Sequence, residues 1–264
     1  MTTQLPEPDE IYNRTKAEGE RRLSRPPLEL AATALVAGFD VVLGIVTLVV
    51  IETAFTERAG ADIAQVAGSL GFGIAFVFIV AGRSELFTEN FLVPIAGLDR
   101  HERRSWLKLG ELWTISPILN LAGGALLVVI VTSQGVLPDG VGATAVDLAT
   151  RIDDNGVEAA FWSAVVAGGL ITAMTWLIEG ADSYGTRIAI AWASGAVLAL
   201  VHLNHVIVVT LELFLGIRYG ADVGWGDVWS NFGVAAAGNM VGGLLFVTLT
   251  RFGQAKGSSA RKAA

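Results

Sequence analysis

Two short polar segments interrupt long apolar stretches of this sequence. The first reads Gly-Arg-Ser-Glu-Leu-Phe-Thr-Glu from Gly82 to Glu89, and the second reads His-Leu-Asn-His from His202 to His205. A histidine can take up or release a proton near neutral pH, and a threonine hydroxyl can donate a hydrogen bond to an anion. Ionisable residues within an apolar stretch are candidates for function. The two segments therefore predict a polar site for a small solute inside an apolar environment.

The stretches that carry these segments are long enough to cross a membrane. A hydrocarbon core about 30 Å thick needs roughly 20 apolar residues per helix, and 53% of the 264 residues are hydrophobic while 16% are charged. Charge occurs in only two of the spans, at Asp40 and Glu212. The net charge of −7 argues against a nucleic-acid partner, and a sequence without cysteine has no disulfide or thiolate metal site. The six predicted spans are Ala31–Ile51, Ile63–Gly82, Leu112–Thr132, Ala159–Ile178, Ile188–Ile217 and Val228–Thr250.

Lysine and arginine concentrate on one side of these spans. The other side receives only Arg58, Arg151 and Arg218, together with ten acidic residues. The positive-inside rule therefore predicts a multi-pass protein of the inner or plasma membrane with both termini in the cytoplasm. The acidic outer face would repel anions from outside, unless high salt screens it, which fits a salt-loving source or an export direction. We expect a cytoplasmic tail over 1–27, a transmembrane domain over 28–253 and a second cytoplasmic tail over 254–264.

The sequence also repeats itself after 119 residues. Asn120-Leu-Ala-Gly-Gly then aligns with Asn239-Met-Val-Gly-Gly, and the two polar segments align with each other. Three spans in each half predict an inverted repeat, and the polar segments predict that spans two and five are interrupted. Asn120 and Asn239, with Gly123 and Gly242 behind them, are expected to pack helices closely and to bond the interrupted backbones.

Five of the spans carry motifs that occur together in one known family. These motifs are Ala37-Gly38-Phe39, Leu86-Phe87-Thr88, Asn120 with Gly123, His205 followed by Gly216-Ile217, and Asn231 followed by Gly238-Asn239-Met240-Val241-Gly242-Gly243. In this order they resemble the formate/nitrite transporter family, and most of all its YfdC-like branch. The similarity extends from about Glu18 to Arg251.

The resemblance implies an all-α, aquaporin-like fold that assembles as a homopentamer with one pore in each protomer. It implies a transporter or channel in the lipid bilayer rather than an enzyme, with no cofactor and no metal. The solute would be a small monovalent anion or its neutral weak acid, of the formate, nitrite and hydrosulfide class. The residues expected along the pore are His205, Thr88, Phe87, Leu86, Phe72, Phe76, Leu198, His202 and Asn204.

The sequence departs from this family in places that bear on the solute. The loop that ends in Leu86-Phe87-Thr88 is one residue longer than the family's usual Gly-Ala-Asp-Leu-Phe-Thr. Val209 stands where an asparagine is usual, and an acidic region near Asn155 replaces a lysine expected ahead of span four. The resemblance therefore transfers the fold better than the substrate.

Two histidines allow different interpretations. His205 would hold an anion as imidazolium, or give it a proton so that the neutral acid crosses the apolar passage. Its alternative role is only to bond the interrupted backbone. His202, three residues away on nearly the same helical face, is expected to pack or to bond the loop.

The charged residues of the spans are expected to have partners. Arg83 is expected to pair with Glu85 or Glu89 and so shape the loop, with a role of this cluster in selectivity as the alternative. Asp40 is expected to contact a polar group. Glu111 and Glu212 are expected at span ends in the headgroup region rather than in a vestibule.

Three other functions stay open at this point. Paired histidines and the acidic loop favour a pore for a neutral or cationic solute such as ammonia. His202 and His205 could instead be metal ligands of a membrane enzyme, although no His-Glu-x-x-His motif supports this. A purely structural pentamer is the third alternative.

Overall fold

A computed structural model describes residues 5–263. In this range the protein is all-helical. Across this range the backbone forms helices, turns and loops without a strand. The eight residues Val241–Thr248 form a π-helical stretch, and Phe87–Phe91 form a 3₁₀ turn. The α-helices are α1 (Pro8–Leu23), α2 (Pro27–Ala59), α3 (Ala61–Phe72), α4 (Ile74–Gly82), α5 (Val93–Ala96), α6 (Arg103–Val131), α7 (Val141–Asp153), α8 (Val157–Gly180), α9 (Tyr184–Leu200), α10 (Val206–Arg218), α11 (Trp225–Met240) and α12 (Leu249–Ala263).

Six segments account for the predicted membrane crossings. Five are helical stretches long and apolar enough to span a bilayer: α2, α3 with α4, α6, α8, and α11 continued into α12. The remaining one consists of α9 and α10, which the loop Val201–His205 separates. Exposed apolar side chains such as Leu126, Val166 and Phe246 lie on the outside of the bundle, as expected for surfaces that face lipid or another protomer.

The interruptions in spans two and five are confirmed. Span two ends its regular helix at Gly82 and continues, after a four-residue break, as the 3₁₀ turn and the one-turn helix α5. Span five has its break between Leu200 and Val206. The first span is longer than the predicted Ala31–Ile51 because the helix continues beyond the apolar window at both ends.

Helices of the two halves pack through glycines at corresponding places. A Cβ atom on Gly123 of α6 would lie 2.1 Å from the Leu35 carbonyl oxygen of α2. A Cβ atom on Gly242 would lie 1.9 Å from the Val165 carbonyl oxygen of α8. The backbones therefore touch, which is how membrane helices pack when lipid supplies no hydrophobic force between them.

Both terminal helices lie at one end of the bundle, which we call the tail face. Arg261 contacts Glu7 at 2.6 Å, Lys262 contacts Asp9 at 2.9 Å, and α1 also packs against α5 and α8. Helix α12 is continuous across residue 253, where the sequence predicted a boundary. The other end, the opposite face, carries α7, a helix that the hydropathy pattern did not indicate.

Candidate functional site

The two interrupted segments share one backbone conformation. Arg83 and His202 have φ angles of 56° and 51°, and among the described residues they alone combine a positive φ with a side chain. They lie 119 positions apart. The residue that follows each of them ends the helix with the same hydrogen bond: the Ser84 amide donates to the Ile79 carbonyl oxygen, and the Leu203 amide donates to the Leu198 carbonyl oxygen, both at 3.0 Å. The left-handed conformation disfavours any residue but glycine, so the fold holds both turns in place.

Asn120 bonds the first break to its neighbours. Its Oδ1 accepts a hydrogen bond from the amide of Phe87 at 3.0 Å. Its Nδ2 donates to the carbonyl oxygens of Ala34 at 2.7 Å and Glu85 at 2.9 Å. The side chain is fully buried and replaces hydrogen bonds that a continuous helix would have made.

Asn239 does the same at the second break. Its Oδ1 accepts from the amide of Val206 at 3.0 Å, and its Nδ2 donates to the carbonyl oxygens of Ala164 and Asn204 at 2.8 and 3.0 Å. The two contacts with the loop, to Val206 and Asn204, correspond to those of Asn120 with Phe87 and Glu85 after a shift of 119 residues. The sequence repeat is therefore a repeat of hydrogen bonds.

His205 and Thr88 meet where the two breaks face each other. Both are fully buried, and His205 Nε2 lies 2.6 Å from Thr88 Oγ1. His205 Nδ1 accepts a hydrogen bond from the Val208 amide at 3.3 Å, so the ring is neutral with its proton on Nε2. Nε2 therefore donates to Thr88, and the hydroxyl proton of Thr88 remains available to another acceptor.

Apolar side chains surround this pair. Phe72, Phe76 and Leu198 are fully buried, and the Phe76 ring meets the His205 ring edge-on at 6.2 Å. Phe72 and Leu198 also line a cavity on the opposite face, whose lining includes neither His205 nor Thr88. Beside Thr88, Leu86 is buried and Phe87 packs edge-on against Phe91 at 5.2 Å.

The opposite-face cavity lies above Phe72 and Leu198 and has a volume of about 40 Å³. Glu52, Gln65, His202 and Glu212 are among its lining residues. Glu212 was expected in the headgroup region, and this prediction is wrong. The Glu212 side chain lines this cavity because α10 starts at the central break and carries it only about two turns from His205.

Two predictions for the second break need correction. His202 does not share a helical face with His205, because the residues between them are not helical; its Nε2 lies 2.8 Å from Gln65 Nε2. Asn204 was expected along the pore. Its Nδ2 instead donates to the Ala160 carbonyl oxygen at 3.2 Å and to Asn231 Oδ1 at 2.9 Å, so it holds the loop.

The expected ion pair within the first loop is also wrong. Arg22 of α1 contacts Glu85 at 3.3 Å and Glu89 at 3.6 Å, and Arg25 forms a second, close contact with Glu85. Arg83 turns away and contacts Glu18 of α1 at 3.5 Å. The cations for the buried loop carboxylates therefore come from α1 and from the short link between α1 and α2.

These charges border a second cavity, on the tail face, with a volume of about 280 Å³. Five arginines and three glutamates are among its lining residues. Burial alone would raise the pKa of Glu18, but hydrogen bonds from Arg21 and the charges of Arg22 and Arg21 outweigh burial and lower this pKa to about 2. The role of Arg21 and Arg22 of α1 and of Arg25 in the following link was not predicted; their spacing, Arg21-Arg22-x-x-Arg25, together with an excess of buried carboxylates, is the signal that could have found them.

Two further expectations can be placed. Asp40 accepts a hydrogen bond from Ser84 Oγ at 2.6 Å, which is the polar partner expected for it. Glu111 lies in the first turns of α6 and contacts Lys108 at 2.6 Å, as a residue at a span end would. Within residues 5–263, His, Asp and Glu form no group of three that could hold a metal ion.

The chain belongs to the formate/nitrite transporter family, whose sequence profile matches residues 9–253. It is similar to the inner membrane protein YfdC of Escherichia coli (strain K12), with 21% identity over 254 residues that cover 96% of this chain and 80% of that protein. It is also similar to the uncharacterized transporter YrhG of Bacillus subtilis (strain 168), with 24% identity and coverage of 93% and 92%. Membership in a family of membrane transporters and channels confirms the prediction of a transport protein rather than an enzyme.

Solved structures share the fold. An FNT family ion channel superimposes with a TM-score of 0.78 at 17% identity and covers 92% of this chain and 97% of its own. A pentameric formate channel with formate bound superimposes with a TM-score of 0.72 at 20% identity, with coverage of 85% and 96%. The six-helix fold with interrupted helices two and five is thereby confirmed.

Proposed function

We propose that this protein is a homopentamer in which each protomer passes a small monovalent anion, as its neutral weak acid, past His205 and Thr88. The observation that carries the proposal is the buried contact between these two residues at the meeting point of the two interrupted helices. The solute class is that of formate, nitrite and hydrosulfide. The name of the similar formate channel describes that channel as pentameric, and this likeness supports a pentamer here.

The chemistry follows from what the pair can donate. A bare anion between Phe72, Phe76 and Phe87 would lose its hydration at great cost. The free hydroxyl proton of Thr88 can form a hydrogen bond to the oxygen or sulfur atom of an arriving anion. The proton that neutralises the anion enters from water: His205 takes it up to form imidazolium and passes it to the solute, which restores the neutral ring. The solute then crosses the apolar passage uncharged, as the weak acid.

The two cavities favour movement from the tail face outward. We infer that the tail face is cytoplasmic, since most lysines and arginines lie in the segments on that side. Arginines outnumber carboxylates around the tail-face cavity, whereas the opposite-face cavity has two glutamates. An anion is attracted to the first cavity and repelled from the second, which supports export.

Flux measurements in proteoliposomes test this function. We load vesicles with the solute, with and without the protein in the membrane. We expect formate, nitrite or hydrosulfide to leave the vesicles that contain the protein faster than the protein-free vesicles. His205→Ala should abolish the pH dependence of this flux between pH 5 and 8, while His101→Ala, at an exposed loop histidine, should leave it unchanged. Equal leakage of all three solutes from vesicles with and without the protein would refute the proposal.

A further inference from the structure

The opposite-face cavity contains a buried carboxylate without a partner. Glu212 is 92% buried, since 8% of its surface is exposed, and its side chain makes no hydrogen bond or ion pair with any residue between 5 and 263. An isolated carboxylate in an apolar setting must either take up a proton or attract a counter-ion. The surroundings of Glu212 favour the counter-ion, as the next observations show.

The charge of the cavity leaves room for one positive charge. Glu52 also lines it and contacts Arg151 at 3.4 Å. Arg151 also contacts Asp147 at 3.2 Å, but the Asp147 side chain is exposed to water and does not line the cavity. His202 adds no fixed positive charge that contacts Glu212. Glu212 is therefore the lining carboxylate without a contacting cation, and one monovalent cation would balance its charge.

Two neutral side chains beside Glu212 offer acceptors to the cavity. The Gln65 amide nitrogen is used in its contact with His202 Nε2, so its carbonyl oxygen is free. Ser69 Oγ donates its proton to the Gln65 main-chain oxygen at 2.8 Å, which leaves its lone pairs free. Together with the carboxylate of Glu212 these atoms suit a ligand that donates hydrogen bonds or coordinates oxygen, and they do not suit an anion.

The size of the cavity limits the ligand to a small ion. A volume of about 40 Å³ is some three times the ~10–15 Å³ that one water-sized particle needs, so the cavity can hold ammonium or a potassium ion with one or two waters. The buried apolar residues Phe72 and Leu198 line the cavity and His205 and Thr88 do not, so the ion would be held apart from the central pair.

We propose that the opposite-face cavity binds one small monovalent cation, of the ammonium or alkali-metal class, through the carboxylate of Glu212 with Gln65 and Ser69. This goes beyond the proposed function, because binding of the cation does not require that an anion passes. Where an anion does pass, the bound cation neutralises the carboxylate next to the passage and removes the repulsion that the anion would otherwise meet.

Binding is tested with the purified full-length protein in lipid nanodiscs. The midpoint of thermal unfolding is measured in ammonium, potassium, rubidium and N-methylglucamine chloride at constant ionic strength. We expect a saturable rise with at least one small cation over N-methylglucamine, and the order of the small cations separates ammonium from the alkali metals. Glu212→Gln should raise the cation concentration that gives half of this response at least tenfold. Glu111→Gln, at a tail-face glutamate, should leave that concentration unchanged.

Two results would overturn the proposal. One is the same unfolding midpoint in all four salts, as expected if Glu212 simply carries a proton; the other is an unchanged response in Glu212→Gln. If that variant does not fold, crystals of the wild-type protein soaked in rubidium chloride decide, through an anomalous peak next to Glu212 or its absence. None of these measurements depends on transport, so they can fail or succeed independently of the proposed pore.

Discussion

His205 Nε2 donates to Thr88 Oγ1 across 2.6 Å, although 117 residues separate the two in the chain. The direction of this bond follows from the other ring nitrogen, Nδ1, which accepts a hydrogen bond from the Val208 amide. A threonine that accepts in this way has its own hydroxyl proton left for a solute. Under the proposed function, the contact makes Thr88, rather than the histidine ring, the hydrogen-bond donor for the solute.

Thr88→Val tests the role of this hydroxyl. Valine keeps the shape of threonine but leaves the His205 donor without an acceptor and the solute without a donor. We expect solute flux to fall at least about tenfold, equivalent to ~1.4 kcal/mol in the barrier. Thr210→Val is the matched control, because the Thr210 hydroxyl bonds the Val206 carbonyl oxygen of its own helix. Wild-type flux in Thr88→Val would contradict this assignment.

Asn239→Ala should destabilise the protomer. The change removes three buried hydrogen bonds and leaves the Val206 amide without a partner, which we expect to cost about 2–4 kcal/mol in the free energy of unfolding. Denaturation in mixed detergent measures this loss. Asn155→Ala, which removes one bond of an exposed side chain to Arg151, should change stability little. Equal stability of the two variants would show that the loop does not need Asn239.

Gly242→Ala should prevent normal packing of the last span. Its Cβ would lie 1.9 Å from a carbonyl oxygen of α8, and the main chain cannot yield as a flexible side chain would. We expect a lower unfolding temperature and loss of assembled protein in size-exclusion chromatography. Gly233→Ala in α11, where no atom lies within 4 Å, should be neutral or slightly stabilising. The prediction fails if both variants assemble alike.

The contact of Arg25 with Glu85 should hold α1 on the bundle. Both side chains are buried, and removing one member of a buried pair costs about 3–5 kcal/mol because it leaves the other charge uncompensated. Arg22 also contacts Glu85, so we expect Arg25→Gln to lose less than this and still to expose α1 to proteolysis. Arg14→Gln removes an exposed ion pair with Asp182 and serves as the control, with cleavage at the wild-type rate.

The contribution of Glu18 to the docking of α1 should be constant in the neutral range and lost in acid. The pKa of Glu18 falls from 4.5 in the unfolded chain to about 2 in the folded protein, so its ionisation stabilises the fold at every pH above 4.5. This contribution is lost as the pH falls from 4.5 to about 2. Hydrogen exchange in α1, corrected for the intrinsic rate, should therefore rise below pH 4. Glu18→Gln should show a smaller rise in acid, and an equal rise in the variant and the wild type would contradict this assignment.

Hydropathy and the repeat were sufficient to predict the fold. Spans are visible because lipid requires about twenty apolar residues in a row, and the breaks because Arg83 and His202 fall at corresponding places in the two halves. The two asparagines were recognised because the repeat aligns them. Sequence patterns of this kind relate residues that are close in the chain or separated by one constant shift.

The contacts that were missed depend on neither. Arg25 and Glu85 are 60 residues apart and follow no repeat, so only the docking of α1 brings them together. Glu212 looked like a residue at a span end because its depth depends on where span five breaks. Asn204 looked like a pore residue until its bond with Asn231 of α11 was known. Side-chain direction within a broken helix is a property of the folded loop.

The shared backbone of the two breaks also has a consequence for the ancestry of the pore. The position that corresponds to His205 in the first half is Leu86, and the position that corresponds to Thr88 in the second half is Ile207. A single half that carried both residues and paired with an inverted copy of itself would form the contact twice. The present chain forms it once, because Leu86 and Ile207 occupy the second pair of positions. The two halves therefore share a backbone, while divergence between them has left the centre chemically asymmetric.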